Sequence, residues 1–167
     1  MTIPHKRCRS ARFVTSGYPR PCALRRPAAA RYNGPMISDR LFVYGTLMRG
    51  FDHPMAQLLS RSADYIGEAR CRGRLYLVKH YPGLALSGDP GDVVFGELYR
   101  LRSPEELLRE FDMYEACGEG FAEPTEYVRQ MLPVTLADET VSEAWSYIYN
   151  WPVAGLSRIA SGRFMER

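Results

Sequence analysis

The chain has 167 residues, 46% apolar and 25% charged, the composition of a soluble globular protein with room for one packed core. No apolar run approaches the roughly 18 residues of a membrane-spanning helix. The formal charge of +3 is uneven: residues 1–35 hold eight of the 22 basic residues and no acid, so the remainder, 14 basic against 19 acidic, carries −5 and does not argue for a nucleic-acid surface.

Those first residues (Lys6, Arg7, Arg9, Arg12, Arg20, Arg25, Arg26 and Arg31, with five prolines) show no sustained apolar period and no secretory h-region. An Arg-rich, acid-free segment could be a transit peptide or a nucleic-acid arm, or an upstream translation artefact, since Met36 precedes the first strand. The favoured expectation is a disordered or non-native basic extension over 1–35 and one domain over 36–167. The cysteines, Cys8, Cys22, Cys71 and Cys117, form no Cys-x-x-Cys pair. Neither a zinc site nor a disulfide framework is suggested, and a reducing, cytoplasmic setting fits.

Leu41 to Tyr44 reads as the first strand, running into a Tyr44-Gly45-Thr46-Leu47 turn. A glycine lets the chain pass close to a ligand, and successive outward amides make a small anion nest; an ordinary strand end is the alternative. Pro54 opens a short helix, Met55 to Ser60. Ala63 to Val78 reads as two strands with a turn near Cys71-Arg72-Gly73, and Tyr81-Pro82-Gly83 and Ser87 to Asp92 as turns. Val93 to Leu101 is a strong strand in which Gly96 marks a bulge or a close backbone approach. Ser103-Pro104-Glu105-Glu106 starts a helix with a capping box and runs to about Glu115, stopped by Cys117-Gly118-Glu119-Gly120. Glu126 to Leu136 and Val141 to Trp151 are two further strands, and an irregular segment closes the chain. This order is not alternating βαβ. It predicts an α+β fold, a small mixed, mostly antiparallel β-barrel with flanking helices.

Projected at about 100° per residue from Leu108, Leu107, Phe111 and Tyr114 form the apolar stripe of the main helix. Glu115 falls near −20°, inside it, and Asp112 near +40°, at its edge. A carboxyl on a core-facing stripe is costly unless paired or neutral, and desolvation raises its pKa toward the range a general acid or base needs. The alternatives are a helix that frays before Glu115 and a simple ion pair. Arg129 is expected to pair with Glu97 or, more naturally, Asp112. Tyr76 and Tyr99 read as core residues able to bring a hydroxyl to the site. Cys117, with His80 or His53, is the only hint of a thiol amidase, and no local signature supports it.

Phe42 to Gly50, Tyr81-Pro82-Gly83, Val94 to Tyr99, Phe111-Asp112-Met113-Tyr114-Glu115, Glu126-Tyr127-Val128-Arg129, Trp145 to Tyr149, Gly155 and Ser161 to Phe164, in this order and spacing, resemble the γ-glutamylcyclotransferase-like superfamily, of the AIG2-like and γ-glutamylamine cyclotransferase type. The resemblance covers about residues 39–167. It implies conversion of a γ-glutamyl amine, peptide or conjugate to 5-oxoproline and free amine, with a small-molecule substrate, no nucleic-acid or membrane partner, and no metal or cofactor. It does not set the oligomeric state. It puts the catalytic Glu at Glu115 and glutamyl binding on the backbone of Tyr44, Gly45, Thr46 and Leu47. Tyr127 is a further candidate pocket residue. The chain departs from the family in having Ala116 after Glu115, where Gly is frequent, and a longer segment from Cys117 to Thr125. A non-enzymatic small-ligand binding module on the same fold is the alternative function.

Overall fold

The computed structural model describes residues 38–118 and 120–165. The basic extension expected over 1–35 lies outside the described residues.

Strand β1 (Arg40–Val43) shows how the chain builds its core. Its side chains alternate across the sheet, as any strand's must, yet every one after Arg40 is buried. Leu41 and Val43 join one hydrophobic cluster, and Phe42 with Tyr44 joins a second. A strand covered on both faces reads as a continuous apolar run rather than an alternating one.

Helix α1 (Pro54–Ser62) follows a loop and is capped by His53, whose Nδ1 accepts from the Met55 amide at 3.2 Å. Then come β2 (Ala63–Arg72), β3 (Arg74–Leu77), β4 (Pro82–Ala85) and β5 (Val93–Leu101). Helix α2 (Pro104–Tyr114) and strands β6 (Tyr127–Leu136), β7 (Val141–Tyr149) and β8 (Ser157–Ile159) complete the order. Five strands close into a barrel in the order β1-β5-β2-β6-β7, and β4-β3-β8 form a small separate sheet. All barrel pairings are antiparallel except the closing one, where β1 meets β7 in parallel at Leu41 and Trp145. The expected mixed, mostly antiparallel barrel with flanking helices is the fold observed.

One cluster takes side chains from all five barrel strands, Phe42, Ala69, Leu98, Val134 and Ile148 among them, and fills the barrel. The other places the opposite faces of β1 and β5 beneath Leu59 of α1 and Leu107, Leu108 and Phe111 of α2. Gly96 is the close approach expected of it. A Cβ there would collide with the Val43 carbonyl oxygen and lie 2.8 Å from Cζ of Phe42.

Three expectations need correction. Pro82 and Gly83 are not a turn but begin β4, at the edge of the small sheet; a proline is tolerated as the first residue of an edge strand. The closing segment is not wholly irregular, because Ser157–Ile159 pairs with β3. Buried Asp92 holds that pairing, gripping Arg74 of β3 and Arg158 of β8 at 2.5 Å each. The capping box does not form either. Ser103 is the N-cap of α2 but makes no side-chain cap bond; Pro104, with its preset φ, and the first-turn acids Glu105 and Glu106 favour that start.

Gly96→Ala is expected to lower the unfolding free energy by about 1–3 kcal/mol through overpacking at the β1–β5 contact, measured by denaturant titration. Unchanged stability would show that the two strands can separate freely.

Candidate active site

The turn after β1 closes with the Met48 amide donating to the Gly45 carbonyl at 2.9 Å. Two buried groups fix it. The Tyr44 hydroxyl donates to the Tyr147 carbonyl of β7 at 2.6 Å and accepts from the Leu84 amide of β4 at 3.3 Å. Fully buried Glu97 of β5 accepts from the Arg49 amide at 2.8 Å and from its guanidinium, and takes the Tyr99 hydroxyl at 2.9 Å. The reason for glycine at 45 differs from the one expected. A Cβ would come within 2.6 Å of Cγ of Pro82, so β4, rather than a ligand, occupies that space. Tyr99 spends its hydroxyl on Glu97 and does not line the cavity.

Helix α2 ends one residue earlier than the projection assumed, at Tyr114, with Glu115 as its C-cap. The end is a Schellman motif: the Cys117 amide donates to the Asp112 carbonyl at 2.9 Å, and the Ala116 amide to Met113 at 3.3 Å. Ala116 takes the left-handed position with φ 50°, a conformation that costs an L-residue roughly 1–2 kcal/mol. Tyr114, expected on the apolar stripe, is 40% exposed and lies against the His53 ring. Further back on α2, Asp112 accepts from the Tyr147 hydroxyl at 2.9 Å and pairs with Arg129 at 3.2 Å, the ion pair expected of it.

A cavity of about 280 Å³ lies between these pieces. All six residues proposed from the sequence (Tyr44, Gly45, Thr46, Leu47, Glu115 and Tyr127) line it. So do Tyr114 and Ala116 beside Glu115, His80 and Tyr81 ahead of β4, Pro82 at its start, Glu126 ahead of β6, and Tyr147. The sequence reading did not assign these to the site. Glu126, adjacent to Tyr127, is expected as the first residue of the strand but stands just outside β6, where strand alternation does not set its direction. Tyr81 and Pro82 were taken for a turn.

Two carboxyl groups and several phenols dominate the chemistry. Burial, and then the nearby Glu126, push the Glu115 carboxyl up from 4.5 to about 7. Tyr81 donates its hydroxyl to Glu126 at 3.0 Å, and burial, followed by this contact, pushes the phenol up to about 12. Tyr127 donates to the Pro82 carbonyl at 2.9 Å and is raised by burial and the surrounding phenol and carboxyl groups. Among the described residues neither Lys nor Arg lines the cavity. The thiol alternative loses its basis: Cys117 is buried outside the cavity lining, and desolvation, with Asp112 next, pushes it up to about 12. Among the described residues no group of three or more His, Cys, Asp or Glu could hold a metal ion, and no helix is long and apolar enough to cross a membrane.

A small mixed barrel with an acidic, phenol-lined cavity at the end of its main helix is the class that fold and site define. Residues 41–166 match the family model described as γ-glutamyl cyclotransferase, AIG2-like. The chain belongs to that family. It is 34% identical, over 132 residues, to the γ-glutamylcyclotransferase family protein YtfP of Citrobacter rodentium, covering 77% of this chain and 96% of that one. Its fold is similar to the solution structure of YtfP from Escherichia coli, with a TM-score of 0.51, 30% identity, and 76% and 96% of the two chains covered. It is also similar to the crystal structure of an AIG2-like protein from Mus musculus, with a TM-score of 0.54, 24% identity, and 77% and 96% covered.

Two stability measurements probe this geometry. Ala116→Gly is expected to stabilise the protein by roughly 0.5–1 kcal/mol, because glycine accepts the left-handed position without the Cβ penalty; a loss in thermal unfolding would contradict the motif. The second concerns charge. A carboxyl raised by folding contributes stability that is full below about pH 4.5 and lost as pH climbs through about 7. Glu115→Gln should therefore equal the wild type near pH 4 and exceed it at pH 8 by about 1–3 kcal/mol. A variant less stable than wild type at pH 8 would show that Glu115 is not desolvated.

Proposed function

We propose that this chain is a cyclotransferase that converts a γ-glutamyl amine to 5-oxoproline and the free amine, with Glu115 as general base and then general acid. The observation that carries the reading is that Glu115, raised to about 7, and the turn of Gly45, Thr46 and Leu47 line one cavity. Family membership supports the reaction class.

The nucleophile is the substrate's own α-amine. It arrives as ammonium, and Glu115 takes one proton. The amine nitrogen then bonds to the γ-carbonyl carbon, whose bond to the departing nitrogen breaks. Glu115 returns the proton to that nitrogen, and the second proton that the ring nitrogen sheds on becoming a lactam N–H also passes to the departing amine, which leaves as ammonium, so no net proton is exchanged. A carboxyl titrating near 7 suits both transfers, because at neutral pH neither form is scarce. The reaction is intramolecular, so holding the glutamyl chain in a bent, near-attack form supplies much of the acceleration. The Thr46 and Leu47 amides are the proposed ligands of the α-carboxylate or the developing oxyanion. The six residues named from the sequence keep these roles as parts of the proposal. Two buried thiols without a disulfide, Cys71 and Cys117, are consistent with a cytoplasmic setting.

A panel of γ-glutamyl amines, assayed for 5-oxoproline, tests the reaction. Glu115→Gln should lower kcat by about 10²–10⁴-fold. In the wild type kcat/KM should rise with pH through about 7, because the base must be ionised to accept the first proton, and that limb should vanish in the variant. Full turnover by Glu115→Gln would falsify the mechanism. Binding of every amide without 5-oxoproline would favour the non-enzymatic binding module.

A further inference from the structure

Tyr114 and His53 have no part in the mechanism above, yet they meet beside the cavity. Tyr114 is one of the residues that line it and is next in sequence to Glu115. Its ring lies 5.2 Å from that of His53, and its hydroxyl oxygen 3.4 Å from His53 Nε2. Which of these two atoms donates follows from the other side of the imidazole. Nδ1 accepts from the Met55 amide at 3.2 Å and so bears no proton. A neutral imidazole then carries its proton on Nε2. Nε2–H donates, and the phenol oxygen of Tyr114 accepts.

That direction leaves the phenol's own proton available. Four other phenols of the lining have given theirs away: Tyr44 to the Tyr147 carbonyl, Tyr81 to Glu126, Tyr127 to the Pro82 carbonyl and Tyr147 to Asp112. Among the described residues, Tyr114 donates to no protein acceptor. Burial raises it above the ordinary phenol range, the Thr46 hydroxyl lowers it by hydrogen bonding to its ionised form, and Glu115 raises it. Thr46 therefore stands with His53 on the donor side of the oxygen. A hydroxyl that accepts one hydrogen bond becomes a better donor of the next. The cavity needs such a donor, because neither Lys nor Arg lines it among the described residues, and an anionic group entering it must be met by neutral N–H and O–H.

We propose that Tyr114, with its oxygen engaged by His53, donates its hydroxyl to the α-carboxylate of the substrate, and that His53 is the positioning residue for that bond. This rests on the cyclotransferase reading. There the α-amine is delivered to Glu115, and the α-carboxylate, one carbon away, falls beside Glu115's neighbour Tyr114 and the Thr46 turn. The alternative acceptor is the oxyanion that develops on the γ-carbonyl. Oxyanion stabilisation gains most where water is excluded, whereas Tyr114 is 40% exposed, which suits a group that is charged in solution and in the site alike. Because the charge of the α-carboxylate does not change during cyclisation, the contact serves binding and not the chemical step.

The test uses two ligands, γ-glutamyl methylamide and its α-carboxamide counterpart, titrated calorimetrically into Glu115→Gln so that binding is read without turnover. Adding Tyr114→Phe should weaken the carboxylate by about tenfold or more and the carboxamide by clearly less. An equal loss on both, no loss on the carboxylate, or no binding of either overturns the proposal. In turnover, Tyr114→Phe alone should raise KM for the carboxylate by a similar factor; a loss confined to kcat overturns the proposal and gives the phenol proton to the oxyanion. His53→Asn isolates the imidazole. Asparagine is itself a good N-cap, so thermal melting should stay close to wild type, but its short amide cannot reach Tyr114. It should weaken carboxylate binding when Tyr114 is present and leave it unchanged when residue 114 is already Phe; full affinity, or a loss that adds to that of Tyr114→Phe, overturns the role of His53. Carboxylate binding that depends on Tyr114, in a protein whose wild type forms no 5-oxoproline, would sink the cyclotransferase reading alone.

Discussion

The arrangement depends on a short relay of hydrogen bonds through Tyr147. Its carbonyl accepts the Tyr44 hydroxyl, and its own hydroxyl donates to Asp112, three residues before Glu115. The turn after β1 and the end of α2 are far apart in sequence, and each alone would be a flexible loop end. Tyr147 ties both to β7, the strand that closes the barrel on β1. All of these groups are buried or partly so, where an unmade hydrogen bond costs the full desolvation of the group. A shift at either end would therefore leave a polar atom unpaired, and that penalty keeps the turn and Glu115 beside one cavity.

Acids that hold the fold and acids that face the cavity are treated differently. Asp92 has Arg74 and Arg158, Glu97 has Arg49, and Asp112 has Arg129. Each is a carboxylate paired with a guanidinium. Asp92, held first by Ser87 and then by its two arginines, stays below the usual carboxylate range. Glu115 is partly buried like Asp112, yet no Lys or Arg pairs with it among the described residues, and its nearest charged influence is another acid. Ionising it works against stability, and a fold selected only for stability would place a leucine or an Arg partner there. An uncompensated, desolvated carboxyl of this kind is what the proposed proton exchange at Glu115 calls on.

The strands and the barrel were legible because their determinants are local: an apolar run on β1, the 93–101 strand with its one glycine, a proline-led start to α2. Glu115 was legible because helical periodicity carries a residue's direction along the axis, even though the helix stops one residue short. The same extrapolation failed for Tyr114, which the end of the helix turns toward His53 and the solvent. What sequence could not supply were relations between distant segments. The space over Gly45 is filled by Pro82, 37 positions on. β8 exists because Asp92 recruits Arg158, and a three-residue strand has no period to read. Glu126 was read inside a strand that begins one residue later, at Tyr127.

The cavity draws on five stretches of chain, around residues 45, 81, 115, 126 and 147, and barrel strands β1, β6 and β7 contribute Phe42, Val43, Tyr127 and Tyr147 to its lining. The rest comes from a turn, two strand approaches and a helix end. Such segments tolerate change better than the strands they join, but here they are not equally free. The 45 turn is bound by Tyr44, Glu97 and Pro82 contacts, and the 115 corner by the relay through Tyr147. The approaches at 81 and 126 hold each other through one phenol–carboxylate bond.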